Sequence, residues 1–339
     1  MPGGCAASVS PLRGTRPPPF PHRRNPVEVR GPVRWDGRMR RIVLLDAPSS
    51  LGLRPPVPGT VPGCYKLAGA LREQGLLRRL GALEGGVVTP PRYDLGGWRE
   101  GEGDFNAAAI ADYTRRLAAR VEAHVRAGEF PVLLGGDCSI LLGAVLGLRR
   151  AGRYGVAYLD GHGDFRHPGN TDRTGPVGAA AGEGTAQITG RGQADLTGID
   201  GLGPYVRDSD LHILGIRDDD EDRAELASLG ITHRTAGEIR RQGPEAVARR
   251  TLRDLQDTAP DGFWIHLDAD VLDPSVMPAV DSPDPGGLST EELRELLAPL
   301  TASPRCAGLD LTIYDPDLDP EGTGAVLLAD LLESVLTQP

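Results

Sequence analysis

Asp160, His162 and Asp164 alternate along one short segment, DGHGD, and Asp268, Asp270 and Asp273 crowd another, HLDADVLDP. Carboxylates this close repel one another unless a cation or a proton sits among them. Each segment follows an apolar run, Val156-Ala157-Tyr158-Leu159 in the first case and Phe263-Trp264-Ile265 in the second. Such runs make the buried strands of a parallel sheet. A third run, Phe130-Pro131-Val132-Leu133-Leu134-Gly135-Gly136, ends in Asp137-Cys138-Ser139. Alternate side chains share one face of a strand, so Asp160, His162 and Asp164 can turn to one point, and Asp268 and Asp270 to one side. Acidic groups closing buried strands are poor candidates for ordinary surface aspartates, because burying them unpaired is costly. Three strands ending in Asp, His and Cys describe a metal site at the carboxyl edge of an open α/β sheet, where ligands collect. Four carboxylates and one imidazole suit Mn²⁺ or a similar first-row ion better than a structural zinc.

Taken together, GGDCS (135–139), DGHGD (160–164) and HLDADVLDP (266–274) resemble the three signatures of the arginase/agmatinase/formimidoylglutamase (ureohydrolase) superfamily. The resemblance extends from about Arg41 to the end, and residues 46–77 resemble that family's first strand, Gly/Pro-rich loop and first helix. It implies hydrolysis of a guanidino or formimino C–N bond by a hydroxide bridging two Mn²⁺ ions. Carried over by motif, Asp160, His162, Asp164, Asp268 and Asp270 are the expected metal ligands. Asp164 is also the expected catalytic residue, holding the hydroxide and passing a proton to the leaving amine.

The departures from the family pattern fall on the substrate side and on one ligand. The family usually has His where this chain has Cys138; a thiolate is a softer ligand, and the alternative is a buried thiol with no metal bond. Arginases end the strand after the aspartate signature with a Glu that grips the guanidinium. Here the matching stretch is GLDLTIYDP (308–316), with Ile313 in that place and Asp315 nearby as a candidate substrate-binding residue. The loop that carries an arginase's proton-shuttle His reads GPVGAAAGEG (175–184) and has none. Arg166, two residues past Asp164, resembles the Arg of formimidoylglutamases and is a candidate partner for a substrate carboxylate. His167 is a candidate replacement for the missing shuttle. A solvent-facing Arg-His pair is the alternative for both. The metal scaffold is kept while the substrate grip has changed, which separates this chain from an arginase.

The elements that must position these residues can be read around them. Apolar residues recur at helical spacing from Ala107 to Ala127, and ILLGAVLGLRR after Ser139 reads as the next helix. Leu211–Ile216 reads as a strand, with His212 as a satisfied core residue, and the acidic run Asp218 to Asp222 as a solvated helix start. His124 is expected to be a surface or capping residue. Ser289-Thr290-Glu291-Glu292 opens a helix with a capping box, Ala307 to Ile313 is the last strand, and 324–336 the last helix. Strand and helix alternate without an internal repeat. The fold class is therefore α/β, a three-layer αβα arrangement about a mostly parallel sheet, with residues 39–339 as a single domain.

Residues 1–38 are rich in Pro, Gly and Arg, lack apolar periodicity and are expected to be a disordered tail. Met39 directly precedes the first strand and is a candidate biological start. The 339-residue chain carries a net charge of −10, which gives no nucleic-acid footprint. No run approaches the ~18 apolar residues that span a bilayer. Four widely spaced cysteines do not make a disulfide framework and fit a reducing cytoplasm. The expected activity is metal-dependent hydrolysis of a linear amidine C–N bond in a small molecule, with Mn²⁺ as cofactor. By resemblance the chain would form a homo-oligomer, a trimer or hexamer. The competing expectation is an arginase-fold protein with altered or lost catalysis, holding one metal or none, acting on another C–N substrate or serving as a binding protein.

Overall fold

The computed structural model describes residues 34–35, 38–39 and 41–337. Arg34–Trp35 pairs antiparallel with Arg38–Met39; the rest of the expected disordered tail lies outside the described residues. Eight strands follow: β1 (Ile42–Asp46), β2 (Leu83–Val87), β3 (Phe130–Leu134), β4 (Tyr154–Leu159), β5 (Leu211–Ile216), β6 (Thr232–Thr235), β7 (Gly262–Asp268) and β8 (Cys306–Thr312). They form one all-parallel sheet in the order β2-β1-β3-β8-β7-β4-β5-β6.

Alternation along the strands builds two cores. Phe263, Ile265 and Leu267 of β7 face one side together with Val132 and Leu134 of β3. Trp264 faces the other, with Leu133 and Tyr158. The five helices of twelve residues or more among the described residues are α1 (Ala107–Arg126), α2 (Ile140–Ala151), α3 (Pro244–Thr258), α4 (Thr290–Ala302) and α5 (Thr323–Leu336). Helices α1 and α2 pack into the second core, through Ile110, Leu117, Val121 and the nearly all-apolar α2. Helices α3, α4 and α5 cover the opposite face. This is the three-layer architecture expected from the sequence. Among the described residues no helix is long and apolar enough to cross a membrane.

Local signals hold where they were read. Ser289 and Glu292 close a full capping box at the start of α4. His124 pairs through Nδ1 with Glu129 at 2.8 Å. Two expectations are corrected. His212 is buried in β5, but its Nδ1 has no partner; desolvation draws its imidazole down to about 4, so it sits in the core uncharged instead of satisfied by hydrogen bonds. The acidic run is not merely solvated: the Asp222 carboxylate is buried and accepts from Phe165 N at 3.0 Å, while Asp220 accepts from Gly163 N at 2.9 Å. Both clamp the backbone of DGHGD from outside.

The strand order explains where a site can form. After β3 the chain passes through α2 and lays down β4 three places away; β7 and β8 fill the gap only much later. The carboxyl ends of β3, β7 and β4 thus meet around one crevice, the position at which open α/β sheets bind ligands.

Candidate metal centre

Gly136 lets the strand end approach its neighbour. A Cβ there would meet Ser49 O at 1.6 Å, so no other residue fits without moving backbone. Asp137 then points away from the crevice, accepting from Ser139 N at 2.8 Å and Gly52 N at 3.0 Å. That turn delivers the buried Cys138 Sγ to 2.8 Å from Asp268 Oδ2, to which it donates.

Beyond β4, Asp160 Oδ1 accepts from His162 N at 2.7 Å, leaving Oδ2 buried without a hydrogen-bond partner among the described residues. Beyond β7, Asp268 Oδ1 accepts from Asp270 N at 2.7 Å, and Asp270 Oδ1 accepts from Gly161 N at 3.0 Å. The same backbone-to-carboxylate turn, repeated on adjacent strands, fixes both carboxylates against each other. His162 stands between Asp270 and Asp284, with Nδ1 3.0 Å from Asp270 Oδ2 and Nε2 3.0 Å from Asp284 Oδ2.

Two donor groups result. Ligand atoms of Cys138, Asp160, His266 and Asp268 lie within 4.8 Å of one another, and so do those of Asp160, His162 and Asp270. Asp160 belongs to both, so the geometry is that of two adjoining ion positions sharing one carboxylate. Desolvation, with the charge of Asp270 next, pushes the carboxyls of Asp160 and Asp268 above the usual range. Burial also opposes charge on Asp270, but its contacts with His162 hold it below that range. Buried acceptors turned on one point, with Asp160 Oδ2 and His266 Nε2 unpartnered, fit divalent cations.

A model of the arginase family matches residues 57–337. The chain belongs to the arginase family.

An arginase from Bacillus caldovelox is 31% identical over 309 residues, covering 88% of this chain and 98% of that protein. Its solved structure superposes with a TM-score of 0.78 at 27% identity, covering 89% of this chain and 99% of that one. The fold is also that of formimidoylglutamase from Bacillus subtilis, with a TM-score of 0.67 at 23% identity over 89% of this chain and 88% of that one.

Within this arginase-family site the expected residues do not all converge. Cys138, Asp160, His162, Asp268 and Asp270 do. Asp164 lines the same cleft but falls outside both donor groups; it sits at φ 47, and its Oδ2 accepts from the Tyr158 hydroxyl. Desolvation, then the charge of Asp160, pushes its carboxyl well up. Arg166 also lines the cleft, with Nε buried and unpartnered among the described residues and Nη2 3.8 Å from Glu221 Oε1. His167 is not among the lining residues: Nε2 lies 3.0 Å from Glu225 Oε1, and Nδ1 accepts from Gly169 N at 3.1 Å. Asp315 is likewise outside the lining, its carboxylate accepting from Gly63 N at 2.9 Å and Asp317 N at 2.8 Å. Ile313 lines the cleft at φ 70, a strained backbone conformation for a β-branched residue.

His266 opens the motif HLDADVLDP, but the ligands carried over from that motif begin at Asp268 and leave it out. The signal was present: His266, Asp268 and Asp270 follow at i, i+2 and i+4, mirroring the alternation of Asp160, His162 and Asp164.

Proposed function

We propose that this chain is a metal-dependent hydrolase of the C–N bond in a guanidino or formimino compound. The observation that carries the reading is the pair of donor groups joined at Asp160, at the floor of a cleft of about 560 Å³. Mn²⁺ is the first candidate ion, by family and by the carboxylate-rich donor set. Two divalent ions there would supply an acidified water and an electrophilic hold on the scissile group.

The remaining work belongs to the cleft's own side chains. Asp219, Asp220, Glu221, Asp281 and Asp284 line it, and such a wall draws in a cationic head group. Asp281 is exposed where it lines the cleft; desolvation by the cleft walls, with the charge of Asp270 next, pushes its carboxyl up to about 7. It is our candidate for the guanidinium grip that Ile313 cannot provide. Arg166 is the basic group in that wall suited to a carboxylate at the substrate's other end, since Arg217 is buried and gives its Nε and Nη2 to the carbonyls of Asp284 and Asp270. The substrate class that fits is a zwitterion with an amidine-type head and a carboxylate tail.

Chelator-stripped protein reloaded with Mn²⁺ would be given guanidino, N-hydroxyguanidino and formimino compounds, with urea, hydroxyurea and formamide followed separately. Release of one of these identifies the reaction. The hold of Tyr158 on Asp164 favours a second reading, an arginase-fold protein with altered or lost catalysis. Confirmed metal binding with no product across the panel would select it.

A further inference from the structure

His266 is completely enclosed in the middle of β7, at 0% exposure. Its register partners are Tyr158 on β4 and Asp310 on β8, so three side chains form a row across three neighbouring strands. Tyr158 stacks on the imidazole with 4.3 Å between ring centres. Nδ1 lies 2.5 Å from Asp310 Oδ2, and the other Asp310 oxygen accepts from Trp264 Nε1–H. With the Asp310 carboxylate taking Nδ1 as its partner, Nε2 is turned to the other side of the ring, where it can offer a lone pair. That nitrogen is buried and without a hydrogen-bond partner among the described residues.

What Nε2 faces decides its role. A ring nitrogen of His266 lies within 4.8 Å of a ligand atom from each of Cys138, Asp160 and Asp268, and with Nδ1 turned to Asp310 the nitrogen left for them is Nε2. A lone pair turned on two carboxylates is repelled unless a cation or a proton lies between them. An imidazole gripped by a carboxylate at one nitrogen and aimed at acceptors with the other is the arrangement by which proteins orient a metal-ligating histidine. The family's imidazole at the first ion position is absent here, because Cys138 stands in its place.

We propose that His266, oriented by Asp310, is a metal ligand of this chain and restores an imidazole to the ion position formed by Cys138, Asp160 and Asp268. The inference rests on the metal-dependent reading above. The first position is then an N/S/O site, and the second, from Asp160, His162 and Asp270, an N/O site.

The test uses the full chain, stripped with chelator and titrated with Co²⁺. Calorimetry gives stoichiometry and affinity, and X-ray absorption at the cobalt edge counts imidazoles. With both positions filled and both histidines ligating, the unmutated protein shows ~1 imidazole per cobalt; ligation by His162 alone gives about half that. His266→Ala should lose one ion, or bind it about 100-fold more weakly, and Asp310→Asn should weaken the same position about 10–100-fold. The absorption measurement needs no variant, so it stands even if His266→Ala does not fold. Two bound ions with half an imidazole each would overturn this inference alone. No binding by the unmutated protein would overturn the metal-dependent reading and this inference with it.

Discussion

Cys138 Sγ donates a hydrogen bond to Asp268 Oδ2 across 2.8 Å, joining the ends of β3 and β7 through a proton. Thr312 Oγ1 lies 3.3 Å from the same sulfur. Burial, followed by the charge of Asp268, raises the thiol well above its ordinary range. A cation binding here has to displace that proton and would gain a soft ligand in exchange. Cys138→Ser keeps a donor of similar size but removes the thiolate. We expect affinity for Co²⁺ or Zn²⁺ at one position to fall at least about tenfold, with Mn²⁺ affinity changed far less. Competition with a chromophoric chelator reads both. Equal affinities for all three ions before and after the change would make Cys138 a buried thiol without a metal role.

The sequence carried the strands, because apolar runs closed by Asp, His or Cys are conspicuous, and it carried the helices wherever apolar spacing was regular. It did not carry the row of Tyr158, His266 and Asp310. Those residues are far apart in the chain and meet only because β7 and β8 are inserted beside β4. Register across parallel strands depends on tertiary packing, so Asp310 read as one more charge in a strand and His266 as a lead-in to the aspartates. The acidic run misled for a related reason. Its composition describes a solvated turn, but the buried carboxylate of Asp222 is matched to the Phe165 amide, which no local pattern reveals.

Tyr158 holds Asp164 outside both donor groups, and Tyr158→Phe should release it. In chelator the Asp164 carboxylate loses its partner, and we expect a loss of about 1–3 kcal/mol in stability. With metal present the released carboxylate becomes available as a further ligand, so the stabilisation gained on adding Mn²⁺ should increase. Urea unfolding of both proteins, with chelator and with Mn²⁺, measures the difference. An unchanged metal increment would mean that Asp164 does not reach the ions even when released.

A second buried carboxylate acts on stability from outside the cleft lining. Asp104 Oδ2 accepts from Gln187 Nε2 at 3.0 Å, beside Glu183, whose Oε1 accepts from Gly178 N at 2.7 Å. Desolvation, then the charge of Glu183, pushes Asp104 up to about 8. Its folded-state value lies above the unfolded one, near 4, so the protonated form favours folding. That contribution is complete below about pH 4 and is lost as pH rises through about 8. Unfolding free energy should therefore decline between about pH 4 and 8, and Asp104→Asn should flatten part of the slope. Denaturant titrations at several pH values decide it; identical slopes would show that Asp104 is ionised throughout.

The acidic mouth makes its own demand on the substrate. If Asp281 grips a guanidinium or formiminium head, Asp281→Asn removes a charge-assisted hydrogen bond worth roughly 1.5–3 kcal/mol. That corresponds to a KM raised about 10- to 100-fold for the cationic substrate that the product panel identifies, with kcat changed much less. Asp281 stands outside both donor groups, so metal stoichiometry should not change. The unmutated enzyme's KM should rise with ionic strength, and the variant's should rise less, because the lost attraction is the screened one. A kcat loss at constant KM would instead place Asp281 on the reacting atoms, and Ile313 would then line a site that takes its substrate without a carboxylate grip.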